Sequence, residues 1–271
     1  MDNRPIGVFD SGLGGLTAVK QLRRLLPNED LIYFGDTGRL PYGSRSAETI
    51  RRYAVSDMNF LLSHNIKRVV VACGTVSAVA LELLRNRYRI PLQGVIDAAV
   101  PAAIRATKHG RIGVIGTAAS IRSGVYARMI EEQAPAMTSH SVACPLLVHL
   151  VENGRWSADD LVVRTVLQEY LEPIQAFQAD TLILGCTHYP LLADAIRTLT
   201  DGRMTLIDPG AEAAKCLATQ QKADGTYAAP ERQGTLHLYV SDTDDGFSTR
   251  ARSFLEMDVD DLCERIDIEQ Y

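Results

Sequence analysis

Short, strongly apolar runs of four to six residues recur along the chain and alternate with longer stretches of helical periodicity. Few architectures satisfy that alternation other than parallel sheets joined by crossover helices, so the expected class is α/β. The candidate strands are Ile6–Phe9, Leu31–Gly35, Arg68–Ala72, Arg111–Ile115, Ser139–Ala143, Thr181–Gly185, Met204–Ile207 and Leu236–Val240. Between them, Leu16, Val19, Lys20, Leu22, Leu25 and Leu26 form a mostly apolar stripe at helical spacing, and Asp159–Phe177 is a second long amphipathic stretch. Lys222–Gly234 is polar and rich in Gly and Pro and reads as a loop rather than a domain linker.

An internal echo sharpens this picture. Ile6-Gly7-Val8-Phe9-Asp10-Ser11 is matched by Ile112-Gly113-Val114-Ile115-Gly116-Thr117, and Val69–Thr75 by Thr181–Thr187, with Cys73 and Cys186 lying 113 positions apart. Any two buried parallel strands look alike, but similar offsets and a shared cysteine-bearing end favour an α/β half carried twice. The expectation is two similar domains with mainly parallel sheets related by a pseudo-twofold axis. The first is discontinuous, residues 1–95 with 208–271, and the second spans 96–207.

The 271 residues carry 28 basic and 33 acidic side chains, and the net charge of −5 supplies no basic excess to hold a phosphate backbone or an anionic membrane. Direct nucleic-acid binding is therefore not expected. No apolar run has the length of a membrane span, and the N-terminus lacks the layout of a signal peptide. Cys73, Cys144, Cys186, Cys216 and Cys263 form an odd, scattered set without metal-finger spacing. Free thiols in the cytoplasm are expected, and no metal site.

In each echo the cysteine follows a buried strand and precedes a helical pattern, with a Thr near the expected N-cap. Ligands of open α/β sheets sit beyond the carboxyl ends of the strands, and a helix N-terminus stabilises a thiolate. Facing halves would bring Cys73 and Cys186 to opposite sides of one ligand, a geometry suited to removing a proton on one face and delivering one on the other. Asp10 and Ser11, after the first strand, and His188, two residues beyond Cys186, are the polar partners at hand. Cys144, Cys216 and Cys263 lack such surroundings and read as packing residues.

The turn Asp10-Ser11-Gly12-Leu13-Gly14-Gly15 is suited to holding an anion through backbone N–H groups, but it is neither a Walker A nor a dinucleotide fingerprint. A carboxylate is the better guest. The loop Asp36–Ser44, containing Pro41-Tyr42-Gly43, offers further donors.

Taken together, the run Phe9–Leu16, the Pro41-Tyr42-Gly43 loop, Ala72-Cys73 and Gly185-Cys186-Thr187-His188-Tyr189-Pro190 resemble bacterial glutamate racemases, of the cofactor-independent aspartate/glutamate racemase superfamily. The resemblance implies an isomerase with its active site between two α/β domains, interconverting L- and D-glutamate for peptidoglycan and cell-wall synthesis. It also implies a homodimer and no cofactor. Cys73 would deprotonate D-glutamate and Cys186 L-glutamate, with Asp10 supporting the first thiol, His188 the second, and Glu152 nearby. Asp10, Ser11, Tyr42, Gly43, Gly74, Thr75, Thr187 and His188 would contact substrate.

The chain departs from the family pattern in reading Gly74 where Asn is usual, His149 where Pro is common, and Asp208-Pro209-Gly210 where a Ser often follows the Asp. The missing amide at position 74 keeps a superfamily relative acting on aspartate, a hydantoin or another small carboxylate open as an alternative. A regulatory association with DNA gyrase, known for some members, is a second.

Overall fold

The computed structural model describes residues 1–244, 246–259 and 262–271. Among these residues ten strands form two sheets: β1 (Ile6–Asp10), β2 (Leu31–Gly35), β3 (Arg68–Val71), β4 (Leu92–Gly94), β5 (Arg111–Gly116), β6 (Thr138–Ala143), β7 (Thr181–Gly185), β8 (Thr205–Ile207), β9 (Leu236–Val240) and β10 (Cys263–Arg265). The first sheet has the order β10-β9-β2-β1-β3-β4, the second β6-β5-β7-β8, and every pairing is parallel. The order β2-β1-β3-β4 coincides with β6-β5-β7-β8 when the strands are matched in chain sequence. The fold is thus two similar α/β halves, the first widened by β9 and β10. The echoed segments are the central strands β1 and β3 of one sheet, β5 and β7 of the other.

Side-chain alternation on these strands feeds two faces at once. Ile6, Val8 and Val70 pack toward Leu16, Val19 and Leu22 of helix Leu16–Leu25, whereas Phe9, Val69 and Val71 pack toward Ile50, Ala54, Met58 and Leu61 of helix Ala47–Leu62. In the second sheet, Leu182 and Leu184 meet Leu167, Leu171 and Ile174 of helix Leu161–Ala176, and Ile112, Val114 and Ile183 meet Ile96, Ala99 and Ala103 of helix Val95–Ala106. The core containing Val8 and Leu184 is continuous through both halves.

Several boundaries differ from expectation for local reasons. β1 continues through Asp10, and β3 stops at Val71. Helix Leu161–Ala176 begins after Asp160, whose carboxylate accepts from the amides of Val162 and Val163 at 2.9 and 3.3 Å. Helix Pro209–Asp224 takes in Lys222–Asp224, the start of the expected loop, and ends at Gly225 with φ 66°. Asp208 caps its N-terminus, with Pro209 in the first turn. A Cβ on Gly210 would lie 3.0 Å from that of Ala18, so the glycine lets this helix start against Leu16–Leu25. No helix among the described residues is long and apolar enough to cross a membrane.

Candidate active site

Parallel strands place all their carboxyl ends on one edge of a sheet, and the two sheets turn those edges toward one cavity of about 100 Å³. Ser11 follows β1, Pro41–Ser44 follow β2, and Cys73, Gly74 and Thr75 follow β3. From the other half, Thr117 and Ala118 follow β5, Pro145, Val148 and His149 follow β6, and Cys186, Thr187 and His188 follow β7. A cavity of this small volume suits a small ligand such as an amino acid. No Lys or Arg is among the lining residues.

Cys73 is the N-cap residue of the short helix Gly74–Val79, is buried, and directs its thiol to Ser11 Oγ at 3.5 Å. Burial, reinforced by the Asp10 carboxylate, pushes this thiol up to about 12. Asp10 itself lies behind the cavity wall, fully buried. It accepts from the amide of Gly12 at 3.1 Å and from the hydroxyl of Thr187, contributed by the other half, at 3.4 Å. Burial raises the Asp10 pKa, and His188 opposes that shift.

Cys186 Sγ lies 3.6 Å from His188 Nδ1, and His188 Nε2 lies 3.2 Å from Glu152 Oε1. Glu152 closes helix Pro145–Glu152 and does not line the cavity, so it reaches the thiol only through the imidazole. Burial alone would lower the His188 pKa; hydrogen bonds to Cys186 and Glu152 override it and lift the imidazole to about 10. Partial burial would raise Glu152, yet its bond to His188 holds the carboxyl below its usual range. His188 is therefore an imidazolium at neutral pH, between a carboxylate and a sulfur. Its ring also stands edge-on to Phe254, centroids 5.4 Å apart.

The Gly-rich turn works by close approach. A Cβ on Gly14 would collide with Thr187 Oγ1 and come within 2.6 Å of His188 Nδ1, so the turn packs directly on the second thiol's partner. Of its residues Ser11 alone lines the cavity, and the Gly12 amide is engaged by Asp10.

Tyr42 lines the cavity while its hydroxyl points away, to Asp36 Oδ2 and, at 3.1 Å, to Asp57 Oδ2. Arg39 bridges the same carboxylates at 2.6 and 3.0 Å. One hydroxyl hydrogen cannot serve two carboxylate oxygens, so a proton on Asp57 completes the cluster. Burial and the neighbouring Asp36 push the Asp57 carboxyl well above the usual range. The cluster holds the turn Tyr42–Ser44 in place, and Gly43 in that turn packs against Thr117.

The structure thus gathers Ser11, Tyr42, Gly43, Cys73, Gly74, Thr75, Cys186, Thr187 and His188 around one cavity, with Asp10 and Glu152 immediately behind it. One local expectation fails: Cys186 does not precede an α-helix. A 3₁₀ turn at Tyr189–Leu192 follows, with Pro190 in its first positions, and the α-helix starts only at Ala193. Thr117, Ala118, Pro145, Val148 and His149 were not singled out as site residues. Thr117 was detectable, since it is the echo of Ser11, and its hydroxyl meets that of Thr75 at 2.9 Å across the halves. Among the described residues no group of three or more His, Cys, Asp or Glu is placed to hold a metal ion.

Residues 12–217 match the family described as Asp/Glu/Hydantoin racemase. The chain is 42% identical over 252 residues to a glutamate racemase of Geobacter metallireducens, covering 93% of each. It is 43% identical over 260 residues to one of Streptococcus sanguinis, covering 96% of this chain and 97% of that one. A crystal structure of glutamate racemase from Francisella tularensis, in complex with D-glutamate, superposes with a TM-score of 0.92 at 37% identity over the whole of both chains.

Proposed function

The chain belongs to the Asp/Glu/hydantoin racemase family, and from that premise we propose that it interconverts L- and D-glutamate by passing the Cα proton between Cys73 and Cys186. It is an amino-acid racemase, an isomerase, by its likeness to glutamate racemases along nearly its whole length. Its D-glutamate serves peptidoglycan synthesis. The observation that carries the two-thiol reading is that both sulfurs, at the ends of matching central strands of two matching sheets, line one cavity of amino-acid size.

The chemical difficulty is the weakly acidic Cα–H, whose removal leaves charge beside an existing carboxylate. Strand-end amides and the hydroxyls of Ser11, Thr75 and Thr117 are the groups available to meet substrate charge. Cys73, held as a thiol by its buried setting, is ready to donate. Cys186, with the His188 imidazolium beside it to meet charge on sulfur, is ready to accept the proton of L-glutamate. One S–H bond forms as the other breaks, and the enzyme is left with the opposite protonation pattern, from which it converts the D enantiomer. Asp10 and Glu152 act through the residues they hold, not through substrate.

By the same family likeness the chain works as a homodimer in the cytoplasm, where its free cysteines stay reduced; light scattering of the purified protein tests the dimer. No feature of the described residues favours the gyrase-binding alternative.

Circular dichroism of glutamate, aspartate and a panel of other amino acids, incubated with purified protein and no added cofactor, tests the activity. Glutamate should lose its optical signal fastest. Cys73→Ala and Cys186→Ala should each abolish racemisation while keeping the fold. Near-normal turnover in either variant refutes the two-thiol reading.

A further inference from the structure

Helix Pro145–Glu152 turns one face to the site, and the residues on that face recur at helical spacing. Pro145, Val148 and His149 line the cavity, and Glu152, one turn beyond Val148 and His149, bonds His188. Leu147 and Val151 are buried in the core instead. His149 is exposed, whereas Cys73 and Cys186 are buried, so it stands at the rim of a cavity whose thiols lie deeper. Among the described residues, the only side-chain nitrogens that line this cavity belong to His149 and His188. Both ring nitrogens of His188 are engaged, by Cys186 and Glu152. Neither ring nitrogen of His149 has a hydrogen-bond partner among the described residues; only its carbonyl oxygen is used, accepting from Asn153.

We propose that His149 is a specificity-determining residue that donates an N–H to the side-chain carboxylate of glutamate. This rests on the two-thiol reading, which fixes Cα between the buried sulfurs. The α-carboxylate is bonded to Cα and stays with it among the strand-end amides. The second carboxylate is two methylenes further along and is the one able to extend to the rim. A donor waiting there favours a dicarboxylic amino acid, because a carboxylate withdrawn from water is costly unless it is hydrogen-bonded again, and bonds to an ionised acceptor are the stronger kind. Pro, common at this position in the racemases the chain resembles, has no such donor, and Gly74 in the same cavity lacks the amide usual there. One polar group is missing from the wall after β3 and another is present on the helix opposite, so the contact belongs to this chain rather than to the fold.

The test is His149→Ala and His149→Gln beside the unmodified protein. Racemisation of glutamate is followed by circular dichroism, with 2-aminobutyrate, which has the same groups on Cα but no second carboxylate, as competitive inhibitor. His149→Ala should raise KM for glutamate about tenfold, with kcat changed far less and inhibition by 2-aminobutyrate left as it was. His149→Gln, whose amide restores a donor, should recover part of the loss. The assignment is overturned by an unchanged KM in His149→Ala, by equal weakening of glutamate and 2-aminobutyrate, by a loss confined to kcat, or by His149→Gln behaving as His149→Ala does. Failure of the unmodified protein to racemise glutamate, or retained activity in Cys73→Ala, would instead defeat the underlying two-thiol reading, and the assignment with it.

Discussion

The contact between Glu152 and His188 makes a prediction that can be worked through. Glu152→Gln keeps the shape and an acceptor oxygen but removes the negative charge 3.2 Å from Nε2. At an effective dielectric of about 20, unit charges at that separation attract by about 5 kcal/mol. Glu152 is 27% exposed, and solvent screening leaves roughly half of that, equivalent to about two pH units. His188, lifted to about 10 in the intact relay, places the alkaline limb of the kcat profile near pH 10. The variant's limb should fall by about two units, with kcat near normal at pH 6 and about tenfold lower at pH 9. Because His188 binds its proton more tightly when folded, the relay's stabilisation is fully present below its ordinary 6.5 and is lost as pH rises through about 10. Melting temperatures of variant and unmodified protein should therefore differ most near pH 6 and converge above pH 10. The enantiomers have equal free energy in water, so kcat/KM must stay equal for the two directions throughout. An unmoved limb, or a loss of activity equal at all pH values, refutes the relay.

Three further perturbations address other parts of the site. Gly14→Ala should displace His188, which lies 2.6 Å from the added Cβ, and lower kcat at least tenfold while melting shows the fold intact; unchanged activity would mean the turn can yield. Asp57→Asn, which copies a neutral acid, should melt within about 1 kcal/mol of the unmodified protein at pH 7, whereas a loss of about 3 kcal/mol or more would place a charge on Asp57. Alkylation of Cys73 by iodoacetamide, followed by mass spectrometry, should keep accelerating beyond pH 10; a plateau near pH 8 would contradict a thiol pushed up to about 12.

The halves and their central strands were legible because β1, β3, β5 and β7 are buried, apolar and duplicated. β4 and β10 were not. Leu92-Gln93-Gly94 and Cys263-Glu264-Arg265 are three-residue edge strands whose polar or glycine positions mask any periodicity. Cys73 and Cys186 announced themselves by position after those central strands, and Thr117 could have been added through the same echo. The Glu152–His188 contact joins residues 36 positions apart through the packing of a helix end on a turn; family likeness put Glu152 near the site, but nothing in the sequence paired it with His188. The Asp36–Arg39–Asp57 cluster had no signal, because the helix bearing Asp57 presents it as one polar residue among several. At Gly14 the sequence showed a small residue but not what it packs against.

A crystal structure of the protein with bound glutamate bears most directly on the central claim. Cα should lie between the sulfurs of Cys73 and Cys186, one on each face and each at about 3–3.5 Å. A complex with both sulfurs on the same face of Cα, or with glutamate bound away from one of them, would contradict it.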